Sequence, residues 1–158
     1  MSALFKNRQK EKSEQLLIVL TNYRFDAFDS NFEKRLKGDT SKMSDIEKSY
    51  WWFSGLFTRM MEQFDIDSFN GKVDDELFST ARDLYYNICL FVDALVRLDE
   101  IVLQMTRPSL FMLINKTNKV YDYQMDVTGD RIQKLYKKML KRFEELYPGD
   151  EEWKNKLD

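Results

Sequence analysis

The sequence predicts an all-α fold: a single-domain helical bundle of about five helices with a long central helix near residues 75–106. Three observations carry this. Leu77, Ala81, Leu84, Ile88, Phe91, Leu95, Leu98, Val102 and Met105 recur in alternating steps of four and three, an unbroken heptad seam. Only 5 Gly and 2 Pro punctuate 158 residues, so Leu, Lys, Glu, Met and Arg fill long stretches without a turn signal. With 43% apolar and 33% charged residues, the chain can bury a core in water and is too polar for a membrane bundle.

The first element runs from about Lys12 to Lys37, with Ile18, Phe25, Phe28, Phe32 and Leu36 at helical spacing and Gly38 as its stop. A capping box at Ser30 and Glu33 marks a break near residue 29. A second capping box, Ser44 and Glu47, opens a helix that carries Ile46, Tyr50, Phe53, Phe57 and Phe64 on one face and ends near Phe64. Residues 65–75, with Asn70-Gly71 and several acids, read as a solvated turn. The segment Asp65–Glu76 has the length of a calcium loop, but Phe69 stands where an oxygen ligand is needed and the glycine comes one place late.

The central helix follows. Besides its seam, Phe78, Tyr85, Cys89, Val92, Val96 and Leu103 flank one side and Ala94 and Ile101 the other. Ser79, Asp83, Asp93, Arg97, Glu100 and Gln104 remain as a narrow stripe for water. Such a helix must be wrapped by others, from this chain or from a second copy. Pro108 ends it and a new helix starts at Ser109. Over 119–127, Tyr121, Tyr123, Met125 and Val127 alternate with polar residues at the period of a strand. No other segment offers a pairing partner, so helix is the expectation there. A last helix over about 130–147 turns Ile132, Leu135, Tyr136, Met139, Phe143 and Leu146 inward and stops at Pro148-Gly149. The whole chain, 1–158, is one domain, with 1–11 and 150–158 read as flexible tails.

Absences narrow the chemistry. The chain has no His and one Cys, which excludes Ser-His-Asp and Cys-His triads, Cys/His zinc sites, His-bound haem and internal disulfides. No glycine-rich phosphate loop is present. Cys89 lies on the apolar flank of the central helix and is expected to be a packing residue. The apolar runs are five residues long, far short of a membrane span, and the basic N-terminus lacks the apolar region of a signal peptide. A cytoplasmic protein is expected, with no membrane partner.

Three groups of residues remain as candidates. Trp51, Trp52 and Leu56 project away from the filled face of their helix and suit either a central core or a protein-binding patch. Tyr85 with Tyr86, and Tyr121 with Tyr123, pose the same choice. Arg131, Lys134, Lys138, Lys141 and Arg142 fall along one face of the last helix in a stretch without acids, although the net charge is −2; they could bind phosphate or an acidic partner. Carboxylate pairs at helical spacing, Glu11 with Glu14, Asp26 with Asp29 and Glu62 with Asp65, would suit a metal-dependent nucleotide hydrolase, a weak signal on surface helices.

Richness in Lys, Asn, Phe and Tyr with no catalytic signature is similar to that of small helical proteins of bacteriophages and other mobile elements. The expectation is a non-enzymatic helical protein acting through protein–protein contacts or self-association, as an assembly, scaffold or regulatory subunit, with no cofactor and no metal. The alternatives are a nucleic-acid-associated accessory subunit using the basic face, and an all-α hydrolase using Glu62 and Asp65.

Overall fold

The computed structural model of the protein describes residues 3–28, 55, 57–103 and 111–157. Among them are four α-helical stretches and no strand: α1 (Ala3–Phe28), α2 (residues 57–63), α3 (Asp75–Leu103) and α4 (Phe111–Leu146), with short 3₁₀ turns at Ile66–Phe69 and Glu152–Lys156. None of the described helices is long and apolar enough to cross a membrane. The break near residue 29, the capping box of Ser44 and Glu47, and the helix start at Ser109 lie outside the described residues.

The heptad seam folds as the long helix it predicts. Leu77, Ala81, Leu84 and Ile88 are fully buried on α3, as are Val92 and Ala94 on its flanks. α4 lies along it, antiparallel. Arg142, near the end of α4, pairs with Asp74 just before α3, while Gln124, mid-way along α4, donates from Nε2 to the Leu90 carbonyl at 2.8 Å. α4 contributes Ile132, Met139 and Phe143 to the core, with Leu135, Tyr136 and Leu146 half-buried beside them. Residues 119–127 are part of this one continuous helix, so their strand-like alternation is overruled by the 3.6-residue period of the elements around them. Buried Thr128 fits inside α4 because its hydroxyl donates back to the Gln124 carbonyl at 2.7 Å.

α1 packs across this hairpin; of its expected row only the side chain of Ile18 is described, and those of Phe25, Phe28, Phe32 and Leu36 lie outside the described residues. Its buried row is Ser13, Leu16, Leu17, Leu20 and Thr21, and Ile18 is half-buried at the margin. Apolar residues alone do not show the row because both its ends are hydroxyls. Ser13 Oγ donates to the Gln9 carbonyl at 2.7 Å, and Thr21 Oγ1 lies 3.1 Å from the Tyr136 hydroxyl of α4, so neither is left unpaired on burial. The helix also begins earlier than its apolar pattern. Residues 3–11 are helical, since Lys, Arg, Gln and Glu favour helix without supplying a seam.

The turn between α2 and α3 is held from within. Ile66, Phe69 and Val73 are buried, and Asp65 caps the 3₁₀ turn by accepting from the Asp67 N–H at 3.1 Å. Gly71 takes the positive φ, 77°, that the reversal requires. Asp74 then does two jobs. Its Oδ2 accepts from the Leu77 N–H at 3.0 Å as the N-cap of α3, and both its oxygens take Arg142 in a two-pronged pair, 2.8 Å to Nε and 2.9 Å to Nη2. The Phe64 ring joins Tyr23, Phe69 and Tyr85 in edge-on or tilted contacts that seal α1, α2 and α3 together. The Tyr85 hydroxyl donates to the buried Met60 carbonyl at 2.7 Å.

The acidic C-terminal stretch is anchored to the bundle. Trp153 is 3% exposed and meets Phe143 edge-on, and Gly149, at φ 78°, turns the chain back toward α1. Trp153→Ala should lower stability by about 3 kcal/mol, the order seen when a buried aromatic is truncated, as measured by urea unfolding. A change within experimental error would mean that the segment does not dock in solution.

The Arg142 guanidinium holds the Asp74 carboxyl below its usual range. A lowered folded value makes the contribution complete above the ordinary aspartate value and lost as pH falls through the folded one. Asp74→Asn, which keeps a capping oxygen, should therefore be less stable at neutral pH and lose less stability on acidification than the natural chain. Unfolding midpoints measured between about pH 7 and pH 3 test this. Parallel pH profiles for the two proteins would show the pair to contribute nothing.

Candidate protein-interaction surface

Two adjoining helix faces stay open to solvent. On α3, Tyr86 and Leu90 are one turn apart in the stripe that also carries Ser79, Asp83 and Arg97, so an otherwise polar face contains two large apolar residues, each nearly half exposed. On α4, Val120 is 62% and Tyr123 71% exposed. The Gln124–Leu90 hydrogen bond ties the two helices together at this level, and Val120, one turn before Gln124, lies along the same edge. The two helices of the hairpin thus each present a pair of large apolar side chains to solvent, Tyr86 with Leu90 on α3 and Val120 with Tyr123 on α4.

The tyrosine doublets separate cleanly. Tyr85 is buried with its hydroxyl bonded, whereas Tyr86, whose ring lies 5.6 Å from that of Tyr85, faces outward. Tyr121 is half-buried while Tyr123 stands in solvent. Leu90 is the residue the sequence concealed, because it sits in an apolar run whose neighbours Ile88 and Val92 are core; only its place on the helical wheel, one turn from Tyr86, marks it. Trp51, Trp52 and Leu56 lie outside the described residues.

The basic face is divided. Arg131, Lys134, Lys138 and Lys141 are exposed on the outward side of α4, and Lys134 pairs with Asp130 of its own helix at 2.9 Å. Arg142 does not belong with them. It turns inward to Asp74, with Glu76 at 3.4 Å and Glu145 at 3.3 Å, and acts as a clamp between the beginning of α3 and the end of α4. A purely outward location was the expectation, and the paired acids at the start of α3 explain the change.

Among the described residues, the pairs Glu11 with Glu14 and Glu62 with Asp65 gather into no metal site. Asp65 is spent on its cap and Glu62 is exposed on α2. Glu11 is exposed, whereas Glu14 turns toward Asp150. The side chains of Asp26 and Asp29 lie outside the described residues. Among the described residues, no three Cys, Asp or Glu side chains gather as a metal site would require. The Glu14–Asp150 contact is a junction between α1 and the C-terminal segment. The Asp150 side chain is only 5% exposed, Lys10 Nζ lies 3.8 Å from its Oδ2, and its Oδ1 accepts from the Glu152 N–H at 3.2 Å. Burial, and then the charge of Asp150, raises the Glu14 carboxyl above its usual value, while Lys10 and Lys156 pull it back.

Burial also pushes the Cys89 thiol up to about 11, despite a hydrogen bond with Tyr85 that favours the thiolate. Such a thiol is a packing group. Iodoacetamide at neutral pH should alkylate Cys89 in the folded chain about a hundredfold more slowly than in urea, as followed by mass spectrometry; equal rates would place the thiol in an open, activated setting. Compared with protein-family models, with curated proteins and with solved structures, the chain finds no match in any of the three.

Proposed function

We propose that this chain is a non-enzymatic helical protein that works through protein–protein contact, as an assembly, scaffold or regulatory subunit. The observation that supports the reading is the exposure of four large apolar residues, Tyr86 and Leu90 on α3 and Val120 and Tyr123 on α4, on a hairpin whose other faces are closed by a packed core. Large aromatics held on rigid helices lose little conformational freedom when a partner covers them, and residues of this kind dominate binding energy at interface centres. The polar groups with defined geometry, Asp65, Asp74, Thr21, Tyr85 and Arg142, are engaged in holding elements together.

The test is site-specific crosslinking of the full chain in its host. A photoreactive phenylalanine analogue at Leu90 or at Tyr123 should give protein adducts well above those from the same group at exposed Lys72, which lies on the turn before α3. Adducts from position 90 should drop when Tyr86→Glu, one turn away on the same face, is introduced. Yields at 90 and 123 no higher than at 72 would refute a contact role for these residues.

A further inference from the structure

We infer that the outward face of α4 is self-complementary and receives a second copy of this chain, helix against helix and antiparallel, about a twofold axis passing between Asp130 and Lys134. The inference deepens the contact reading above and rests on it. Tyr123, Asp126, Asp130, Lys134, Lys138 and Lys141 follow one another in steps of three and four, which at 3.6 residues per turn keeps them in one outward stripe about 27 Å long. All six are exposed. The stripe is acidic in its first half and basic in its second.

A twofold axis between the halves brings opposite charges together at two levels and an aromatic ring against a cation at the third. Residues equidistant from the axis face each other, so Asp130 meets Lys134 of the second copy, Asp126 meets Lys138, and the Tyr123 ring meets the ammonium of Lys141, a cation–π pair. Each meeting occurs twice by symmetry. Around the axis, the Asp130–Lys134 pair already formed within each helix would alternate with its copy as a ring of four charges. A parallel arrangement would set Asp against Asp and Lys against Lys, so the pattern specifies orientation as well as partner.

The helix dipole does not account for this division. Its influence fades within the terminal turns, whereas Asp126, Asp130 and Lys134 lie about three turns or more from either end of α4. Val120 and Tyr123 give the contact apolar area at each end of the stripe. Exposed ion pairs are individually weak and screened by salt, so the association is of modest affinity and strongly dependent on ionic strength.

The full chain should show a concentration-dependent dimer mass by light scattering at about 50 mM salt and shift toward monomer at about 500 mM, with the dissociation constant rising tenfold or more. Lys134→Glu with Lys138→Glu makes the four charges nearest the axis all acidic, and Asp126→Lys with Asp130→Lys makes them all basic; each double variant alone should be monomeric. Mixed in equal amounts, they restore opposite charges at both of these levels and should form a heterodimer, which also shows that both are folded. Retention of full helical circular dichroism in each variant is the control.

A natural chain that stays monomeric at low salt across the concentration range overturns the inference, as do charge-reversed variants that dimerise like the natural chain, or folded variants that stay apart when mixed. Monomeric natural chain retained on duplex DNA and released by salt would assign the basic half to a phosphate backbone instead. If the chain is monomeric yet gives strong adducts from positions 90 and 123 with another protein, the second copy is wrong and the contact reading stands. If it is monomeric and gives none, both fall.

Discussion

The constraint from which the architecture follows is the apolar girth of α3. A helix with Leu77, Ala81, Leu84 and Ile88 on its seam and Phe78, Tyr85, Val92 and Ala94 beside it cannot be covered by one neighbour. α4 takes one side along its length, α1 lies across another, and α2 with the turn after it closes a third through Met60, Phe64 and Phe69. The remaining arc is narrow, and it is there that Tyr86 and Leu90 come to the surface. Among the described residues, this open arc is what α1, α2 and α4 leave of the most apolar helix.

Polar groups fix how that wrapping is registered. Apolar packing is tolerant of small shifts along a helix, while a two-pronged Arg–Asp pair is not. Asp74 starts α3 and holds the end of α4 with the same carboxylate, so the beginning of one helix is locked to the end of the other. The Gln124–Leu90 bond repeats the lock half-way along. Between them, these two contacts set which residues of α4 face the core and therefore which line its outward stripe.

The parts legible in the sequence were those set by period. The α3 seam, the inward row of Ile132, Met139 and Phe143, and the separation of core from stripe on α3 all follow from steps of three and four. Hydroxyl residues inside a core row were not legible, because Ser13 and Thr21 become compatible with burial only through the Gln9 carbonyl and the Tyr136 hydroxyl, one local and one far along the chain. The role of Arg142 was hidden for a related reason: its wheel position is close to that of its basic neighbours, and its direction is decided by an acid in another element. The exposed apolar residues were half visible, through the tyrosine doublets, and which member of each doublet faces solvent depends on the lateral placement of the helices. The acidic tail concealed its anchor, a single tryptophan among charges.

Residues from opposite ends of the sequence meet where Lys10 and Glu14 of α1 lie against Asp150, while α3 and α4 are neighbours in sequence as well as in space. Closing a long loop costs more chain entropy than folding adjacent helices together. By that measure the hairpin needs only local contacts to assemble, while the junction of the first helix with the last turn is a clasp that closes a much longer loop. Opening that clasp would release α1 from the last turn while leaving the Arg142–Asp74 and Gln124–Leu90 bonds of the hairpin in place.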